Sequence, residues 1–135
     1  MFLDGLVIGA DSLFVHKAHL AADRICYVDD ILVDYRVNNP NSDVERAGNY
    51  LADISRTVDE LYSVISGEDN HVIFLRSFDN WAIGKCLWIY KLRGDQIDPV
   101  LVDIVRRYDL SSRPKDYYYQ VSARELLARI EINNL

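Results

Sequence analysis

Gly9-Ala10-Asp11-Ser12-Leu13-Phe14 at one end, and Asp34-Tyr35-Arg36-Val37-Asn38-Asn39-Pro40-Asn41-Ser42 at the other, bound the stretch whose reading decides the fold. Asp11 and Ser12 stand before Leu13, Phe14, Ala18, Leu20 and Ala21, whose spacing is a helical stripe, so either residue can cap the helix. Negative charge is stabilised at the amino end of a helix. Asp11 there suits two roles, a cap or a base facing a hydroxyl group, and one aspartate alone does not decide between them. Arg24 to Val28 and Ile31 to Val37 are β-branched and aromatic runs separated by Asp29-Asp30, which predicts a hairpin. Its second strand puts Ile31, Val33, Tyr35 and Val37 on one face. Leu32, Asp34 and Arg36 share the other, where Asp34 and Arg36 can pair.

Outward from that stretch the pattern is helical. Ser42 with Glu45 reads as a capping box and Gly67 as a C-terminal cap. Between them Val44, Ala47, Leu51, Ile54, Val58, Leu61 and Ile65 form a 3-4 stripe, which predicts lengthwise packing on another helix, within the chain or across a dimer. Residues 69–93 read as a second long helix, apolar nearly all round and therefore central, closed by Gly94. In it Ala82 and Gly84 allow close helix approach. Trp81 and Trp88, seven apart, are core residues or a sugar-stacking platform. Asp98-Pro99 opens a third helix. Ser111 to Lys115 is a loop, and of Tyr117-Tyr118-Tyr119 at least one must be exposed. A last helix begins at Ser122 with Glu125 as a second capping box.

The chain has 135 residues, half of them hydrophobic, enough for one domain with a sizeable core. With 15 basic and 21 acidic residues its net charge is −6, which argues against nucleic acid or an anionic membrane as the main partner. Cys26 and Cys86 sit in apolar runs without neighbouring ligands and read as buried thiols, consistent with a reducing, cytoplasmic setting. No apolar run is long enough for a transmembrane segment, and no leader pattern precedes Gly9. His16, His19 and Asp23 can share a helix face, a weak metal-ligand spacing outside any His-Glu-x-x-His context.

The order Gly-Leu-Val-Ile-Gly-Ala-Asp-Ser-Leu-Phe-Val from Gly5, then Ala-Ala-Asp-Arg-Ile-Cys-Tyr-Val-Asp-Asp-Ile-Leu-Val-Asp-Tyr-Arg-Val-Asn-Asn-Pro-Asn-Ser to Ser42, resembles the C-terminal half of bacterial family 2 glycosyltransferases of the GT-A fold. That family opens an acceptor-side helix with Glu-Asp and places Tyr-Arg before an Asn/Ser-rich turn. The resemblance covers residues 3–42. It implies that Asp11 is the catalytic base on the acceptor hydroxyl, and that Tyr35 and Arg36 line the substrate side as scaffold. Ala10 stands where the family has Glu. The resemblance further implies a preceding nucleotide-sugar half, a βαβ unit with an Asp-x-Asp motif, which would bring the nucleotide sugar and a divalent metal, manganese or magnesium. This chain assigns no metal ligand of its own.

The expected fold is mainly α: a short helix plus a β-hairpin over residues 1–42, then a bundle of about four helices over 43–135, the two parts forming one unit. Two functions follow. One is the C-terminal part of a glycosyltransferase-like protein, inactive as this chain alone. The other is a non-catalytic helical association module, a homo-oligomer through the helix Val44 to Ile65 or an exposed hairpin edge.

Overall fold

The computed structural model describes residues 5, 6, 8–30, 33, 51–69, 71–114 and 116–133. Gly9 opens the first helix, α1 (Ala10–Ala21), from a left-handed conformation at φ 92°, and its carbonyl accepts the Leu13 N–H at 2.9 Å. Neither Asp11 nor Ser12 is the cap: Asp11 lies in the first turn and its Oδ1 accepts only the neighbouring Ser12 N–H, at 2.7 Å. Backbone freedom decides this. The chain enters the helix through a torsion that glycine alone adopts without strain.

Gly9 also meets α2 (Leu51–Ser66) closely. A methyl group added there would lie 2.6 Å from Thr57 Oγ1. Gly9→Ala is therefore expected to cost about 2 kcal/mol from the left-handed torsion, with the Thr57 clash in addition. Urea unfolding measures the loss, and Thr57→Ala in the same chain should recover the clash but not the torsional part.

From Leu51 onward the heptad stripe is used inside the chain. Leu51, Ile54, Val58, Leu61 and Ile65 are all buried, each contributing roughly 1.5–3 kcal/mol. They pack on α3 (His71–Leu92), where Phe78, Ala82, Ile83, Cys86 and Ile89 are buried, and on Leu101, Ile104 and Val105 of α4 (Pro99–Arg107). This face is accordingly not open for a partner. The front of the stripe, Val44 and Ala47, and the Ser42–Glu45 box lie outside the described residues. Gly67 follows the last residue of α2, which closes through i−3 bonds from Gly67 and Glu68 to Val64 and Ile65.

Helix α3 is central, touching α2, α4 and α5 (Val121–Asn133), but its first turn is not enclosed, for Val72 and Ile73 are exposed. Ala82 is fully buried at a helix contact, whereas a side chain at Gly84 would meet nothing within 4 Å, so Gly84 serves no close approach. Past Leu92, Gly94 turns left-handed at φ 61°, the Gly94 N–H reaches Lys91 O and the Asp95 N–H reaches Tyr90 O, a Schellman closure. Asp98 then caps α4 through the Val100 N–H at 2.9 Å, with Pro99 at the first helical position.

Two further features depart from the sequence reading. The hairpin is not formed: there is no strand among the described residues, and Arg24 to Val28 is exposed, irregular chain. Ile31 to Val37, apart from the exposed Val33, lies outside the described residues. The fold is thus helical throughout its described part. Period-2 patterning marks a strand only where a sheet or core takes one face, and Tyr27, 87% exposed, has neither. Arg24 to Val28 offers no strand edge for self-association. Helix α5 opens at Val121, which puts Ser122 inside the first turn and not at the cap.

Candidate functional site

Asp11 projects from the first turn of α1 and is exposed. The helix beneath it is anchored at three points. Leu13 is buried in the core, Lys17 pairs with Glu60 of α2 at 2.7 Å, and the Ile8 N–H reaches Asp53 Oδ2 at 3.4 Å just ahead of the helix. These contacts make α1 parallel to α2. A carboxylate in this position is held by a fixed backbone while its own oxygens remain accessible to a ligand.

Across from α1, running the opposite way on α3, stand Lys85 and Trp81. Lys85 Nζ lies over the Trp81 ring, 5.2 Å from its centroid, and His16 meets the same ring edge-on at 5.2 Å and 82°. Burial pulls the Lys85 ammonium below its ordinary pKa, and the Asp11 charge opposes that shift. His16 is also lowered, first by burial and then by the charges of His19 and Lys85. The seam continues into a cavity of about 250 Å³ whose walls include His19, Leu61, Phe74 and Phe78.

The other residues marked by the sequence fall as follows. Tyr35 and Arg36 lie outside the described residues. His16 and His19 face the seam, Asp23 is exposed beyond the helix end, and no three His, Cys, Asp or Glu side chains gather as a metal site among the described residues. Trp88 packs against the core, so the Trp81–Trp88 pair is not a platform. Cys86 is buried and its thiol is pushed up to about 12, whereas Cys26 is exposed. Alkylation of the folded chain at pH 8 should therefore label Cys26 and spare Cys86, as read by peptide mass spectrometry.

One polar centre was not legible beforehand. Asp79, 1% exposed in mid-α3, accepts from Arg113 Nε and from the Tyr117 hydroxyl, both at 2.9 Å on Oδ2. Arg76 and Asn80 bind the Tyr117 carbonyl, and Asn80 Oδ1 takes the Tyr119 N–H at 2.8 Å. The buried Tyr118 hydroxyl donates to Leu110 O, and Tyr119 is exposed. This network seats the loop before α5. A second link joins α2 to α4, where Arg107 meets Asp59 and Asp103 and the Tyr108 hydroxyl donates to Asp59. Burial and the Asp59 carboxylate push the Tyr108 hydroxyl well above the ordinary tyrosine range. Both centres are saturated by their own partners and are structural. No helix among the described residues is long and apolar enough to cross a membrane. Comparison with known families, curated proteins and solved structures found no match to the chain.

Proposed function

We propose that this chain is the acceptor-side, C-terminal part of a glycosyltransferase-like protein of the family 2 type, which transfers a sugar from a nucleotide sugar to an acceptor hydroxyl in the cytoplasm and is inactive as this chain alone. The observation that carries the reading is the exposed Asp11 carboxylate, presented on the first turn of a helix pinned to the core. In this role Asp11 accepts the proton of the acceptor hydroxyl as its oxygen bonds to the anomeric carbon. The bond from that carbon to the nucleotide phosphate breaks on the opposite side, and the nucleotide leaves with the electron pair. Tyr35 and Arg36 belong beside this site by the resemblance. A divalent metal would stabilise the leaving phosphates. No three His, Cys, Asp or Glu side chains gather to hold one among the described residues, and by the resemblance it would come with the nucleotide-sugar half.

The test is a transfer assay with labelled nucleotide sugars and manganese, on this chain and on the complete product of its gene. Transfer is expected from a product that carries a βαβ unit with Asp-x-Asp ahead of Gly5, and not from this chain alone. Coding sequence upstream without such a unit removes the reading. Transfer by the isolated chain overturns its incompleteness.

A further inference from the structure

Lys85 differs from the other partly buried cations of the chain. Lys17 has Glu60 and Arg113 has Asp79, each in direct contact, whereas Lys85 forms no ion pair among the described residues. Its ammonium is half-buried against the Trp81 face, and the Asp11 carboxylate acts on its charge without forming an ion pair with it. A cation taken partly out of water without a matching anion costs free energy unless a ligand supplies the charge. The same Trp81 that carries Lys85 also lines the apolar cavity, so one seam offers a carboxylate, a cation and an apolar recess in that order. The cavity, at about 250 Å³, lies below the roughly 300–1,000 Å³ of pockets that hold drug-sized ligands. It takes one ring or a short chain and not an oligosaccharide.

We infer that the α1–α3 seam is the acceptor subsite and selects an acceptor with an anionic group beside its reacting hydroxyl and an apolar substituent. Lys85 reads the anion and the recess between Trp81, Phe74 and Leu61 holds the apolar group. This rests on the reading of Asp11 as the base, which sets where the hydroxyl must lie. Carboxylate and phosphate share the required chemistry. Lys85 is a specificity-determining residue here and performs no proton transfer.

Binding to the whole chain tests the subsite without requiring turnover. The probes are p-nitrophenyl β-glucuronide, the neutral p-nitrophenyl β-glucoside, free glucuronate and p-nitrophenyl phosphate, followed by NMR of the Trp81 and His16 side chains. The glucuronide is expected to bind about tenfold or more tightly than the glucoside, as a charged hydrogen bond warrants, and also more tightly than glucuronate, which lacks the apolar ring. Whether p-nitrophenyl phosphate or the glucuronide perturbs Trp81 at lower concentration separates the two anions. Lys85→Met should erase the preference for the charged probe, and Lys85→Arg should restore it, which guards against a mere folding defect. Asp11→Asn should bind the glucuronide at least as well, because a like charge is removed. Equal binding of glucuronide and glucoside, a preference that survives Lys85→Met, or no binding of any probe overturns the subsite. None of those results touches the base assignment, which transfer activity decides.

Discussion

Asp79→Ala is expected to lower stability by about 3 kcal/mol, near the lower end for breaking a buried ion pair. The carboxylate is almost fully enclosed, and its Oδ2 is the acceptor for both the Arg113 guanidinium and the Tyr117 hydroxyl. Without it both donors lose their partner, but Arg113 is partly exposed and can turn to water, which limits the cost. At a few degrees per kcal/mol for a chain of this size, the melting temperature should fall by roughly 10 °C. Arg113→Ala should cost more, about 4 kcal/mol, because it strands a carboxylate that cannot reach water. The loop from Arg113 to Tyr119 would then come off α3, taking its link to the start of α5 with it. Limited trypsin digestion of Asp79→Ala should accordingly cut after Lys115, Arg113 being protected by Pro114, before the helices open. Losses under 1 kcal/mol for both variants, or a smaller loss for Arg113→Ala than for Asp79→Ala, would show that the network does not hold the loop.

What could be read from the sequence was what neighbouring residues decide. Asp98-Pro99 fixes the start of α4 because cap and first turn are adjacent in the chain, and Gly94 closes α3 for the same reason. The α2 stripe was legible because its period reports a buried face, although whether that face meets its own chain or a second one is settled only by α3 and α4 lying upon it. Arg24 to Val28 was misread because β-branched alternation is necessary for a half-buried strand and not sufficient; pairing comes from elsewhere in the chain. Asp11 was placed at the right helix but in the wrong position, since Gly9 can adopt a torsion that no pattern of polar residues announces. Asp79 and Arg113 stand far apart in the sequence and meet only once the chain has folded, and Asp11 comes to act on the Lys85 charge only once α1 and α3 lie together. The single aspartate of α3, and a lysine set among its apolar residues, were the available signals.

On the function proposed above, Asp11→Asn in the product that carries the nucleotide-sugar half is expected to reduce the rate of sugar transfer by roughly 10²–10⁴-fold, the usual contribution of a general base. The substitution separates charge from shape. An asparagine oxygen can still accept the Ser12 N–H that Asp11 now holds at 2.7 Å, so the start of α1 should be preserved. Stability should change by no more than about 0.5 kcal/mol, as for an exposed position. Part of that change has a defined sign. Lys85 already titrates below its ordinary value because burial outweighs Asp11. A lysine whose folded pKa is depressed favours the fold at high pH and loses that contribution as the pH falls through the lowered value. Removing the Asp11 charge depresses it further, so any loss at neutral pH should disappear in alkali. Asp11→Ala would lower the rate as much and add the loss of the Ser12 contact. A variant Asp11→Asn that transfers sugar at the full rate, while Asp11→Ala merely loosens α1, would make Asp11 a helix-start residue and move the base to another side chain.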